Sequence, residues 1–260
     1  MDPNRLKEFG LLPVWRVRPG ALSGHPADQS VAASPVPPSG EPIAELPDQP
    51  PIPAENLQTG DRAEGIARAD WQQLRQMVSS CTACPLSQAR TQSVFGVGDE
   101  QADWLFIGEG PGAREDELGE PFVGQAGILL DNMLQAISLR RGENVYIANI
   151  VKCRPPENRN PQDAEAEQCR PYLLRQIALI QPRLIVALGK VAAQNLLATD
   201  DSIASLRSRL HTFSEIPLIV TYHPAYLLRS LADKAKAWED LCFARATMQH
   251  LLLDQGGNLD

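Results

Sequence analysis

Hydrophobic residues become regular only from Trp71 onward. There WQQLRQMVSS sets Trp71, Leu74 and Val78 on one face at helical spacing, which predicts an amphipathic helix. WLFIGEG, VYIANIV, RLIVALG and PLIVTYH follow as short β-rich runs, each apolar through most of its length, as strands buried on both faces are. Between them lie the helical patterns GQAGILLDNMLQAISL, PQDAEAEQCRPYLLRQIALI and KVAAQNLLA, and a last helix is expected over about Asp233 to Leu253. Four β-runs separated by helices imply right-handed βαβ crossovers. The expected fold is therefore α/β, a three-layer α/β/α sandwich with a four-stranded parallel sheet. Ligands of such sheets bind beyond the carboxyl ends of the strands, and that rule picks the loops to inspect.

Before Trp71 the pattern is different. Twelve of the 22 prolines fall at or before Pro53, in stretches such as SPVPPSGEPIAELPDQPPIP. Proline at that density removes backbone donors and fixes φ, and there are few aromatics to seed a core. Residues 25–65 are read as a disordered linker and 66–260 as the folded domain. The first 24 residues hold NRLKEFGLLPVWRVRPGAL, with Leu, Phe, Trp and Val among four basic residues, more apolar side chain than a tail has local use for. They are read as a docking peptide.

Composition changes this picture only in part. The 260 residues are 43% hydrophobic and carry a net charge of −8, the balance of a soluble globular chain, and acidity ordinarily argues against a nucleic-acid partner. That acidity is local: residues 19–70 hold eight acidic and two basic residues, whereas 71–260 hold 22 and 18. No run approaches the roughly 20 apolar residues of a membrane span. The opening MDPNRLKEFG lacks the apolar core of a signal peptide, so a cytoplasmic monomer is expected, with its five cysteines reduced.

The loops after the strands hold the candidate chemistry. GEGPGAREDELGEPFVGQAG follows the first strand with six glycines, but without the spacing of a dinucleotide-binding or phosphate loop, and its acids would repel a pyrophosphate. Glu109, at the strand end beside glycines, suits a reaction in which positive charge develops. Asn149 follows the second strand; its planar donor and acceptor could read the edge of a pyrimidine, though alone it reads first as a turn asparagine capping its own backbone. His223, next to Pro224 and followed by Arg229, stands where the topology puts a site. Cys81 and Cys84 form C-x-x-C before the first strand, and Cys153 and Cys169 are separated by fifteen residues after the second. Four thiolates accept either zinc or a [4Fe–4S] cluster, and the steps Cys84-Pro85 and Cys153-Arg154-Pro155-Pro156 favour the cluster. Cys242, beside Phe243, reads as a small buried hydrophobe.

Together GEGPGAREDELGEPFVGQAG, YIANIVKCRPPENRNP, TYHPAYLLR and the four cysteines resemble the type 4, iron–sulfur uracil-DNA glycosylases over about residues 71–254. The resemblance implies that Phe122 stacks on a uracil flipped out of DNA and that Asn149 reads uracil N3–H and O4. It implies that His223 donates to uracil O2 as the base departs and that Glu109 orients water or faces the sugar cation. Glu115 would shape the pocket near uracil C5. Gly110 and Pro111 would belong to a DNA-facing loop, and Arg207, Arg209 and Arg229 would contact phosphate, although Ser208 stands where the family often has glycine. Cys81, Cys84, Cys153 and Cys169 would hold a structural [4Fe–4S] cluster. With no well-placed lysine for a Schiff base, Lys152 included, excision would be monofunctional.

Leu6, Phe9 to Leu11 and Trp15 to Leu22 also resemble the peptide with which the psi subunit of bacterial DNA polymerase III binds the chi subunit. That likeness implies a replisome tether in which Leu11, Trp15 and Arg18 contact chi. The competing readings are a psi-like replisome subunit with reduced catalysis that keeps the glycosylase fold as scaffold, and a zinc-stabilised nucleotide-binding protein. The complete pocket set argues against the first and the missing phosphate loop against the second.

Overall fold

The computed structural model describes residues 58–256. The docking peptide, with Leu11, Trp15 and Arg18, and most of the linker lie outside the described residues. The linker boundary moves: helix α1 already runs over Gln58–Arg68, so residues 58–65 belong to the folded part. Ile66 is fully buried in the core and Arg62 donates to the Gln168 carbonyl at 3.0 Å, which ties α1 down.

Helix α2 spans Trp71–Ser79. Asp70 starts it through a reciprocal cap: its carboxylate accepts from the Gln73 N–H at 2.8 Å and its own N–H donates to the Gln73 side chain at 3.0 Å. Leu74 and Val78 are its buried face. Along the chain come α3 (Leu86–Ala89), β1 (Val97–Gly98), β2 (Trp104–Gly108), α4 (Ala113–Leu118), α5 (Gln125–Ala136) and β3 (Val145–Asn149). They are followed by α6 (Asp163–Ile180), β4 (Leu184–Leu188), α7 (Lys190–Leu197), α8 (Ile203–Leu206), β5 (Leu210–Phe213) and β6 (Ile216–Thr221). Helices α9 (Pro224–Leu227) and α10 (Lys234–Gly256) complete the described part.

The sheet has six strands among the described residues, in the order β1-β3-β2-β4-β6-β5, where four were expected. The four anticipated strands pair in parallel, β3 with β2, β2 with β4 and β4 with β6. The two additions are antiparallel edges. Strand β1 has two residues, and β5 is mostly exposed, so neither forms a continuous apolar run. Strand β5 turns into β6 through Ser214 and Glu215, both with positive φ (47° and 69°), the turn whose twist suits a hairpin.

Alternate residues of the central strands feed two cores. Leu105, Ile107, Tyr146, Ala148, Ile185, Ala187, Leu218 and Val220 pack with apolar residues of α1, α2, α6 and α7. Phe106, Val145, Ile147, Val186 and Ile219 pack with α5, α9 and α10 on the opposite face. The result is helices on both sides of one sheet. Each fully buried Leu or Ile contributes roughly 1.5–3 kcal/mol, so these strands are rigid mounts for whatever stands at their ends.

Candidate active site

Strands β2 and β3 run in register to their last residues, Gly108 opposite Asn149. Their ladder continues one step further, with Ile150 N donating to Gly108 O at 2.9 Å and Val151 N to Glu109 O at 3.2 Å. A Cβ on Gly108 would lie 2.5 Å from both Asn149 Oδ1 and Phe122 Cζ. The missing side chain therefore lets amide and ring close on the strand end. The Phe122 ring centroid is 5.5 Å from that of His223, with the planes 32° apart. Phe122, Asn149 and His223, widely spaced in sequence, thus meet around one point.

Asn149 is 2% exposed, and its Oδ1 has no hydrogen-bond partner among the described residues. An orphaned buried acceptor costs about 1–3 kcal/mol unless a ligand donates to it. His223 caps α9, its Nδ1 accepting from the Ala225 N–H at 3.2 Å. Burial, with Arg229 acting in the same direction, pushes its pKa down to about 4. The neutral ring accepts at Nδ1, so its proton sits on Nε2 and makes that atom a donor. Gly189 (φ 91°) makes room for it: a Cβ there would lie 2.7 Å from His223 Cβ.

Glu109 is partly buried, and burial pushes its carboxyl pKa up. Glu115 Oε1 accepts from the N–H groups of Val123 (2.9 Å) and Gly124 (3.0 Å), so it braces the backbone just after Phe122. Phe122 itself has φ 55°, a left-handed conformation that costs a residue with a side chain roughly 1–3 kcal/mol. Gly110 is partly exposed and Pro111 is buried.

Arg209 and Arg229 are exposed. Arg207 is not available in that way. Its Nε and Nη2 each lie 3.0 Å from the buried Asp240 carboxylate, which also accepts from Thr221 Oγ1 at 3.0 Å. Arg207 therefore ties the loop after α8 to α10, on the carboxylate that also holds β6, and its guanidinium is engaged within the fold. Ser208, with φ 59°, fills the left-handed position that favours glycine and adds its hydroxyl to Asp240 at 3.3 Å.

Cys81, Cys84, Cys153 and Cys169 line one small cavity together with Arg90, Lys152 and Tyr172. They arrive from the turn after α2, the loop after β3 and the body of α6. Donors point at the sulfurs: Arg90 Nη1 at 2.9 Å from Cys153 Sγ, Lys152 N at 3.2 Å from Cys169 Sγ, Arg62 Nη2 at 3.7 Å from Cys81 Sγ. Burial pushes the Cys169 thiol up to about 12 and drags the Lys152 ammonium down to about 8. No group of three or more His, Cys, Asp and Glu side chains among the described residues is placed to hold a single metal ion. Lys152 Nζ donates to the Asn149 carbonyl at 2.9 Å, so one side chain touches both the cavity and the strand end.

The family model described as the Uracil DNA glycosylase superfamily matches residues 95–242. The chain belongs to the uracil-DNA glycosylase superfamily. It is 39% identical over 180 residues to a type-4 uracil-DNA glycosylase of Pyrobaculum aerophilum, a span of 66% of this chain and 91% of that protein. Identity is 45% to a type-4 enzyme of Archaeoglobus fulgidus (58% and 79% covered) and 44% to one of Thermotoga maritima (61% and 83% covered). The matched residues of this glycosylase-superfamily domain include Glu109, Phe122, Asn149, His223, Cys153 and Cys169, while Cys81 and Cys84 lie just before them. Reading loops one by one missed Gly108 and Gly189, although each ends a β-run, the usual place for close approach. It also missed the sulfur-facing Arg62 and Arg90, for which the sequence carries no signal.

Proposed function

We propose that this protein hydrolyses the N-glycosidic bond of uracil in DNA and leaves an abasic site. The observation that carries this is the buried, unpartnered Oδ1 of Asn149 set between the Phe122 ring and the neutral His223. A flipped uracil stacks on Phe122 and gives its N3–H to Asn149 Oδ1, while the amide N–H₂ meets O4; cytosine presents that pair reversed. As the C1′–N1 bond breaks, its electron pair goes to the base, and the His223 Nε2–H donates to the growing charge on O2. Glu109 faces the cationic sugar, orients the water whose oxygen bonds to C1′ and takes the proton that water gives up, while uracil leaves as the anion. Glu115 supports the stacking loop. Gly110, Arg209 and Arg229 are the DNA-facing set.

The donor set also fits a [4Fe–4S] cluster. Four cysteines from three segments line one cavity, and the donors Arg62, Arg90 and the Lys152 amide suit sulfur that carries negative charge. When bound, the cluster cross-links α2, the loop after β3 and α6. A brown protein with broad absorption near the violet that bleaches on oxidation is expected; an anaerobic, colourless preparation with stoichiometric zinc would overturn it.

The function is tested by incubating the full chain with a uracil-containing oligonucleotide and treating with alkali. Strand cleavage at uracil, with no adduct trapped by borohydride, is expected; intact strands overturn the reading. Among the described residues no helix is long and apolar enough to cross a membrane. The replisome tether is tested by pull-down of chi, retained by the full chain and lost on Trp15→Ala. Equal capture by both, or by neither, refutes it.

A further inference from the structure

The Phe122 backbone is held from several directions. Arg141, in the turn after α5, donates from Nη1 to the Pro121 carbonyl and from Nη2 to the Phe122 carbonyl, both at 2.8 Å. Its Nε donates to Asp131 Oδ1 at 3.0 Å, so all three guanidinium nitrogens are engaged. The same carbonyl is pressed by the first turn of α5, where a Cβ on Gly127 would lie 1.8 Å from Phe122 O. On the other side Glu115 holds the N–H groups of Val123 and Gly124. A left-handed φ at a phenylalanine persists only where its surroundings over-determine it. No part of this grip lies on the ring, which stays against Gly108 and His223.

We propose that Arg141 is a positioning residue that locks Phe122 in its left-handed conformation and so presents the ring to the uracil. This rests on the strand-end pocket being the base site. Arginine is needed because its planar fork reaches two carbonyls and a carboxylate at once, where a lysine ammonium offers a single point of charge. A misplaced stacking ring weakens the base in ground and transition states alike, so the loss falls on KM more than on kcat.

The test is a double-mutant cycle on the full chain: wild type, Arg141→Ala, Phe122→Ala and the double variant, with kcat and KM for a uracil oligonucleotide at several salt concentrations and thermal unfolding of each. Expected are a loss of about tenfold in kcat/KM for Arg141→Ala in the wild-type background and under about twofold in the Phe122→Ala background. The salt slope of DNA binding should not change, as it would if Arg141 held a phosphate. If Arg141→Ala fails to fold, Arg141→Lys carries the cycle with a smaller loss in the same direction. Equal losses in both backgrounds, or a reduced salt slope, overturn the positioning role while excision stands. A wild type that releases no uracil defeats the base-site reading itself, and this proposal with it.

Discussion

The strand-end pocket and the cysteine cavity are linked through Lys152 and are built by opposite means. In the pocket, glycines at 108 and 189 bring a ring, an amide and a neutral imidazole onto rigid strand ends, and one acceptor is left unpaired. In the cavity, four cysteines from three separate segments meet off the sheet, with cationic side chains and an amide turned toward sulfur. Neutral, planar hydrogen-bonding groups fit a base; sulfur ringed by donors fits an anionic inorganic group. The pocket is set by close backbone approach and the cavity by side chains brought together from segments far apart in sequence. Each should therefore fail differently when a member is removed.

The largest expected effect is in the pocket. His223→Ala should lower uracil release about 10²–10³-fold, the usual cost of losing a donor to a developing anion, while stability falls by only about 1 kcal/mol, that of the lost α9 cap. Near-normal turnover would break the comparison at its base. Cys153→Ser should behave in the opposite way, bleaching the visible absorption and lowering the unfolding temperature. Unchanged stability with activity abolished would instead move the cavity into the chemistry.

Outside both regions, Arg207→Ala should cost about 3 kcal/mol in denaturant unfolding, because Asp240 stays buried without its partner. It should leave the salt dependence of DNA binding unchanged, whereas Arg209→Ala should lower that slope by about one. The reverse pattern would return Arg207 to the DNA-facing set.

The smallest effect concerns pH. His223 has a depressed folded pKa, about 4, so it stays neutral well below its ordinary titration and gives no acid limb near 6.5. The unfolded chain takes up that proton first, so the stability gained from the neutral ring is lost as pH falls from 6.5 towards 4. Activity should fall on the acid side through the raised pKa of Glu109, and Glu109→Gln should flatten that limb. A limb near 6.5 that disappears in His223→Asn would show that the histidine titrates in the working range.

What could be read from the sequence follows from where each group stands. Strands β2, β3, β4 and β6 were legible because both their faces are buried; β1 and β5 were not, being two residues long and largely exposed. Glu109 and His223 were marked by the rule for strand ends and the cysteines by their spacing, whereas Asn149, which alone reads as a turn asparagine, was marked only by the resemblance. The Arg207–Asp240 pair was not legible because the two residues, 33 apart, come together only in the fold. Arg141 carried no signal, since its partners are two backbone carbonyls about 20 residues away.

The most direct test of the central claim is the single-turnover release of uracil by Asn149→Ala beside wild type, with the folded state of each checked by circular dichroism. The unpartnered amide oxygen predicts that wild type frees uracil while the variant, equally folded, is slower by about 100-fold or more. Equal rates in the two proteins would contradict the account, because the group that marks the pocket as a base-reading site would then read nothing.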